Sequence, residues 1–237
     1  MHARASQIIP AQLLLTAYRS GIFPMADSRT DDEVFWIEPR ERAVIPLDDF
    51  RLSRSLAKTL RQERFRVTCD SAFAAVIEAC AEPRPGHPET WISHRIEASY
   101  CMLHALGQAH SIECWQEDRL VGGLYGVSFD RVFCGESMFS RTADASKVAL
   151  AWLVALLRRA DFRVLDCQFM TPHLASMGAA TVSRERYLEM LAGAGAEPPR
   201  CTLPAAYVEL VSEVASASST GSSSPGKLIA QSLTHTS

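Results

Sequence analysis

Residues 111–169 read SIECWQEDRLVGGLYGVSFDRVFCGESMFSRTADASKVALAWLVALLRRADFRVLDCQF. Ser111 to Gln116, Leu120 to Val127 and Val132 to Met138 are short apolar runs separated by turn residues at Glu117-Asp118 and Phe129-Asp130-Arg131. Such punctuation predicts consecutive strands. Val148 to Leu157 is apolar nearly all round, the pattern of a buried helix. Val164 to Phe169 predicts the next strand, and strand, helix, strand implies a crossover. The expected fold is α+β or mixed α/β on a largely antiparallel sheet. Gly122-Gly123-Leu124-Tyr125-Gly126 fits neither G-x-x-x-x-G-K nor G-x-G-x-x-G, so it is read as a bulge or a close backbone approach.

Upstream, Pro10 to Ser20 predicts a short helix stopped by Gly21, with Pro24 forbidding its resumption. Residues 26–33 are polar and acidic, a loop, and Phe35-Trp36-Ile37 and Ala43-Val44-Ile45 predict short strands. Phe50 to Glu63 predicts a helix with an apolar line, Leu52, Leu56 and Leu60, and a cationic stripe, Arg54, Lys58 and Arg61. Phe65 to Thr68 predicts a strand, and Ala72 to Cys80 and Ile96 to Leu106 predict helices. Downstream, residues 213–237 are dominated by Ser, Thr, Ala and Gly and are expected to be a disordered tail.

The chain has 237 residues, 47% hydrophobic and 22% charged, which excludes a mostly disordered protein. Its net charge of -3 excludes a basic nucleic-acid coat and leaves room for a local basic patch. No window approaches the roughly 20 apolar residues of a membrane helix. Ile8 to Ala17 is interrupted by Pro10 and Gln12 and lacks a small-x-small site, so export is not expected. Seven scattered cysteines with no C-x-x-C suit a reducing, cytoplasmic setting. The histidines show no metal-ligand spacing, and no base is identifiable beside Ser137.

Two places invite chemistry. Asp166 and Gln168 are two apart in a predicted strand and would share one face, opposite Leu165, Cys167 and Phe169. Either that face is an ordinary wet one, or the pair is a preorganised polar site, because a central strand after a buried helix has no wet face. Glu136 lies among apolar residues in Phe133-Cys134-Gly135-Glu136-Ser137-Met138-Phe139. It is either paired in the core or exposed to a cleft. The Arg54, Lys58 and Arg61 stripe is either merely solvated or a phosphate contact.

Taken in order, several strings resemble one family, the bacterial leucyl/phenylalanyl-tRNA–protein transferases. They are Ala17-Tyr18-Arg19-Ser20-Gly21-Ile22-Phe23-Pro24, Ser53-Arg54-Ser55-Leu56, Thr90-Trp91-Ile92, His110-Ser111-Ile112-Glu113, Leu120 to Val127, Cys134 to Ser140, Ala145-Ser146-Lys147 and Asp166-Cys167-Gln168. The resemblance runs from about Leu13 to Leu191. It implies a small N-terminal domain, residues 1–42, and a catalytic domain, residues 43–212, similar to acetyl-CoA-dependent N-acetyltransferases. It also implies an aminoacyltransferase moving Leu or Phe, less well Met, from aminoacyl-tRNA to proteins with N-terminal Arg or Lys, which feeds N-end-rule degradation. No metal or organic cofactor is expected, since the ester supplies the energy, and no membrane partner.

By the same resemblance Asp166 and Gln168 are the reactive residues, and Glu136 is a pocket carboxylate. Tyr18, Trp91, Phe133 and Met138 lie near the aminoacyl and acceptor pocket. With a tRNA substrate, the local cation excess of the Arg54, Lys58 and Arg61 stripe is expected to grip the acceptor stem through its phosphates. Two departures are visible: Met25 and Ile37 stand where many members have tryptophan. An N-acetyltransferase using acetyl-CoA is the enzymatic rival. Its pyrophosphate loop needs glycines, and Arg141 to Lys147 has none. A tRNA-binding or N-terminus-binding module without catalysis is the other rival.

Overall fold

The meander expected at the centre forms as three long antiparallel strands, in a computed structural model that describes residues 8–83, 89–195, 197–217 and 224–234. The chain opens with α1 (Ala11–Arg19), which ends where Gly21 takes φ 76. β1 (Phe23–Met25) and β2 (Phe35–Ile37) then pair as a separate antiparallel ribbon. β3 (Glu41–Ile45), α2 (Arg54–Arg61), β4 (Arg66–Cys69), α3 (Phe73–Ala81) and α4 (His94–Ala105) lead to the meander. The meander is β5 (Ala109–Gln116), β6 (Arg119–Phe129) and β7 (Val132–Ser140). α5 (Ala145–Arg159) crosses to β8 (Val164–Asp166), followed by α6 (Pro172–Ser176), β9 (Ala180–Ser183), α7 (Arg184–Ala194), α8 (Leu203–Ala217) and α9 (Pro225–Thr234).

The large sheet has seven strands in the order β4-β5-β6-β7-β8-β3-β9. Every neighbouring pair is antiparallel except β7 with β8, which run parallel on either side of the α5 crossover. The fold is thus mixed α/β on a mixed sheet. Both faces are covered. Ile45, Leu124, Phe133 and Leu165 belong to a core under α5, with α2, α8 and α9. Their sequence neighbours Val44, Tyr125, Cys134 and Val164 belong to a second core under α1, α3, α4 and α7. Consecutive residues part to opposite sides, as a period of two requires.

The glycine run is the close approach that its composition implied. A Cβ on Gly122 would lie 2.4 Å from Ala145 Cβ, and one on Gly126 2.2 Å from Cys134 O. The β6/β7 register shifts at Tyr125/Gly126, beside that second glycine. This irregularity sits next to Glu136.

Two expectations need correction. The strand from Val164 ends at Asp166 rather than Phe169, because Gln168 adopts φ 58 and with Cys167 forms a bulge opposite Ala43 that breaks the regular register. The tail expected to be disordered from 213 instead completes α8 to Ala217 and forms α9. Composition misjudged α9, because Ile229, Ala230 and Leu233 are enough to bury one side of a short helix against α2 and α5. Residues 218–223 and 235–237 lie outside the described residues. Gly226 makes that docking possible: a Cβ there would lie 2.0 Å from Leu60 O. Gly226→Ala is therefore expected to cost about 2 kcal/mol by overpacking, read as a shift in urea midpoint at constant m.

Candidate active site

The seam where β7, β8 and the residues after β8 meet encloses a cavity of about 330 Å³. Its apolar wall comes from Phe23, Met25, Trp91, Leu150, Leu153 and Phe169. Glu136 and Gln168 bring polar atoms to it. An apolar chamber with a few convergent polar groups is the general form of a small-ligand site.

Gln168 is fixed by two different carboxylates. Its side-chain Nε2 donates to Glu136 Oε1 at 2.8 Å, and its main-chain N–H donates to Asp166 Oδ1 at 2.9 Å. Spending Nε2 on Glu136 leaves the amide carbonyl oxygen available as an acceptor. The left-handed backbone at Gln168 costs about 1–2 kcal/mol for a residue with a Cβ. It is over-determined here by paired main-chain bonds, Ala43 N–H to Gln168 O and Cys167 N–H to Ala43 O.

Asp166 does not line the cavity. It faces the α7 side of the sheet and is wholly buried. Arg42 Nε and Nη2 donate to its Oδ1 and Oδ2 at 3.2 and 2.5 Å, and Tyr187 Oη donates to Oδ2 at 3.0 Å. The Arg42 guanidinium lies 4.8 Å from the Phe23 ring centre and 4.5 Å from that of Tyr187, and it also donates to Gly21 O. Burial works against its charge, and Asp166 beside it more than offsets that, so its pKa stands above the ordinary arginine value. The expectation of a shared face for 166 and 168 is therefore corrected. The strand period ends at 166, and the two residues meet through a main-chain hydrogen bond instead.

Glu136 is also deeply buried. Tyr100 Oη donates to its Oε2 at 3.2 Å, and Tyr18 Oη is hydrogen-bonded to Tyr100 Oη behind it. Burial pushes the Glu136 carboxyl up to about 8, with the tyrosine hydrogen bonds opposing and the Asp166 charge adding. Between an unfolded carboxyl near 4.5 and this raised value the native state holds the extra proton, so ionising Glu136 costs stability as pH rises across that window. Glu136→Gln is expected to reduce the fall in thermal midpoint between pH 5.5 and pH 8, measured by calorimetry against wild type.

The remaining expected residues divide. Trp91 and Met138 line the cavity. Tyr18 and Phe133 do not: both are fully buried, Tyr18 behind Tyr100, and Phe133 in the core under α5 against Gly126. Arg54, Lys58 and Arg61 are exposed on α2, away from the cavity lining, and form no ion pair among the described residues. Sequence reasoning missed Arg42, Tyr100, Tyr187, Tyr125 and His173. Of these, Arg42 left a faint signal as the one cation inside a short apolar strand. Tyr125 Oη and His173 Nε2 are buried on residues of the cavity wall and have no hydrogen-bond partner among the described residues. Burial, and then the charge of Lys147, lowers the His173 pKa, which favours the neutral ring. Among the described residues no group of three or more His, Cys, Asp or Glu is placed to hold a metal.

Comparison with known proteins gives consistent matches. A family model described as leucyl/phenylalanyl-tRNA protein transferase matches residues 44–192, and that of its N-terminal domain matches residues 9–40. The leucyl/phenylalanyl-tRNA–protein transferase of Novosphingobium aromaticivorans is 56% identical over 260 residues, covering 97% of each chain. That of Zymomonas mobilis is 59% identical over 80% of this chain and 70% of its own. Among solved structures, a functionally unknown conserved protein of Staphylococcus epidermidis has 12% identity and a TM-score of 0.37, covering 75% of this chain and 66% of its own. L-PGS from Bacillus licheniformis has 11% identity and a TM-score of 0.37, covering 70% of this chain and 55% of its own.

Proposed function

The chain belongs to the leucyl/phenylalanyl-tRNA–protein transferase family, an enzyme family of aminoacyltransferases, and on that footing we propose that its cavity aligns an aminoacyl-tRNA ester with a protein's free α-amino group. The observation that carries this reading is the cavity itself: an apolar chamber of side-chain size with a Gln168–Glu136 pair on its wall. Leu or Phe fills the chamber. Met fits less well, and apolar walls separate such neighbours by only ~1–3 kcal/mol per methylene. Met25 adds an adaptable wall.

An α-amino group has a pKa near 7.7–8.0, so a useful fraction is uncharged near neutral pH. Catalysis is then mostly alignment at roughly 3–3.5 Å from the carbonyl carbon. The Gln168 carbonyl oxygen accepts from the attacking N–H. The amide C–N bond forms as the ester C–O bond breaks, and the amine proton ends on the departing ribose oxygen. An amide is too weak a base to carry that proton alone. Glu136, with its pKa raised to about 8, has the poise for proton relay near neutral pH. In its ionised form it also favours an acceptor beginning with Arg or Lys. Asp166 is a positioning residue: it holds the backbone of Gln168 while neutralising Arg42.

The same reading takes the residues before β3 as a small N-terminal domain and those from β3 onward as a catalytic domain like those of N-acetyltransferases, with the boundaries expected at 42/43 and 212/213 moved clear of β3 (Glu41–Ile45) and α8 (Leu203–Ala217). The parallel β7/β8 step around α5 supports the latter. The product's fate is N-end-rule degradation. The setting is cytoplasmic, supported by seven cysteines without a disulfide. No helix among the described residues is long and apolar enough to cross a membrane. The test mixes radiolabelled Leu-tRNA or Ala-tRNA with peptides starting in Arg or Ala. Label is expected on the Arg peptide from Leu-tRNA alone, and no labelled peptide from Leu-tRNA overturns the reading.

A further inference from the structure

The cavity does not end at the reacting groups. Met138 and His173 line both it and an adjoining groove of about 510 Å³, whose other walls include Ser140, Arg141 and Ser146. Arg141 and Thr142 in turn line a broader trench of about 1160 Å³. That trench runs past the β5–β6 turn and holds Arg64, Arg66, Arg119 and Trp115. The three spaces follow β7 outward: Glu136 in the cavity, Met138 at the junction, Ser140 in the groove, Arg141 at the entry to the trench. Five residues of extended chain from Glu136 to Arg141 span roughly 17 Å, well beyond the length of one aminoacyl group.

Cations outnumber acids along this path: four arginines stand against Glu82 on the groove wall and Glu63 and Glu117 on the trench wall. All four trench arginines are exposed, in a chain whose net charge is -3. Arg64 and Arg119 make no ion pair among the described residues. Arg66 lies 5.2 Å from the Trp115 ring centre, and Arg141 lies the same distance from the Phe139 ring while pairing with Glu82. Glu63 and Glu117 are the acids on the trench wall, and the Glu63 carboxylate accepts from Gly226 N–H. Met25, also on the cavity wall, leads into residues 26–33, with Asp27, Asp31, Asp32 and Glu33 against Arg29, and with Arg95 of α4 donating to the Asp32 carbonyl. A basic N-terminus is complementary to the acidic side, and a polyphosphate strand to the arginine side.

Resting on the transferase reading, we infer that the tRNA's 3′-terminal strand leaves the cavity past Met138 and His173 and lies in the Arg141–Arg66–Arg119 trench. Its phosphates meet the guanidinium groups, and an unpaired base has the Trp115 face to stack on. The α2 stripe then flanks this track rather than forming it, because Arg64 and Arg66 continue the same chain from the end of α2 into the trench.

The test measures binding of uncharged tRNA over a salt series, for wild type, Arg66→Glu/Arg119→Glu and Arg54→Glu/Lys58→Glu, with thermal midpoints confirming that each is folded. The trench pair is expected to weaken binding at least tenfold and to flatten the log K against log salt slope by about 1.5–2, the loss of two phosphate contacts. The stripe pair is expected to do less. Wild-type affinity and slope in a folded trench pair, or no tRNA binding by wild type, overturns the inference. Transfer from Leu-tRNA to peptide by wild type is scored separately, so a failed transferase reading is told apart from a misplaced track.

Discussion

Asp166→Ala is expected to destabilise the protein by about 3–5 kcal/mol and to leave no measurable transfer. The cause is Arg42, wholly buried and held by both Asp166 oxygens. Deleting the aspartate strands a buried cation between the Phe23 and Tyr187 rings without the carboxylate that pairs with it. It also removes the acceptor of the Gln168 main-chain N–H. Two losses, one of fold and one of alignment, are thus combined in a single variant. Arg42→Met/Asp166→Leu separates them, because an apolar pair of similar volume restores most of the stability by removing the charges together. Its urea midpoint should return toward wild type while transfer stays absent. A single Asp166→Ala variant with a wild-type midpoint would show that the ion pair does not hold β8 against β3.

Gln168→Gly is expected to lower kcat by about 10²–10³-fold, the range seen when one preorganised polar group at a reacting centre is removed, with little change in KM for Leu-tRNA. Its stability should hold or rise slightly. Glycine adopts φ near +58 without the strain a Cβ imposes, and the lost Gln168–Glu136 bond offsets that gain. Gln168→Ala keeps the strain and loses the bond, so it should be the less stable of the two at equal activity. Wild-type kcat in either variant would remove Gln168 from the chemistry.

Much of the architecture was legible because it is periodic or compositional. The three meander strands and α5 follow from alternating and all-round apolar runs, and the α2 stripe follows from helical spacing. What escaped is non-local. The strand reading continued past Asp166 because Cys167 and Phe169 are good strand residues. Its regular register ends at the positive φ of Gln168, where Cys167 and Gln168 together oppose Ala43, 124 and 125 positions away in the chain. α9 escaped because its burial needs only three residues and a glycine fitted to Leu60 O. At the site, Asp166, Gln168 and Glu136 attract notice in sequence because polar groups in apolar strands need partners. Those partners, Arg42, Tyr100 and Tyr187, come from three other elements, and no spacing announces them. Tyr18 and Phe133 were drawn toward the cavity by resemblance, and they stand behind its wall.

Arg42 also reaches the chain's first forty residues, through the Gly21 carbonyl and the ring of Phe23. The opening segment is therefore not an interchangeable module. A chimera that swaps residues 9–40 for a distant relative's must preserve a carbonyl and an aromatic face at those two spots. Otherwise the mismatch will surface at Asp166, on the opposite side of the junction, as a loosened seam between β3 and β8.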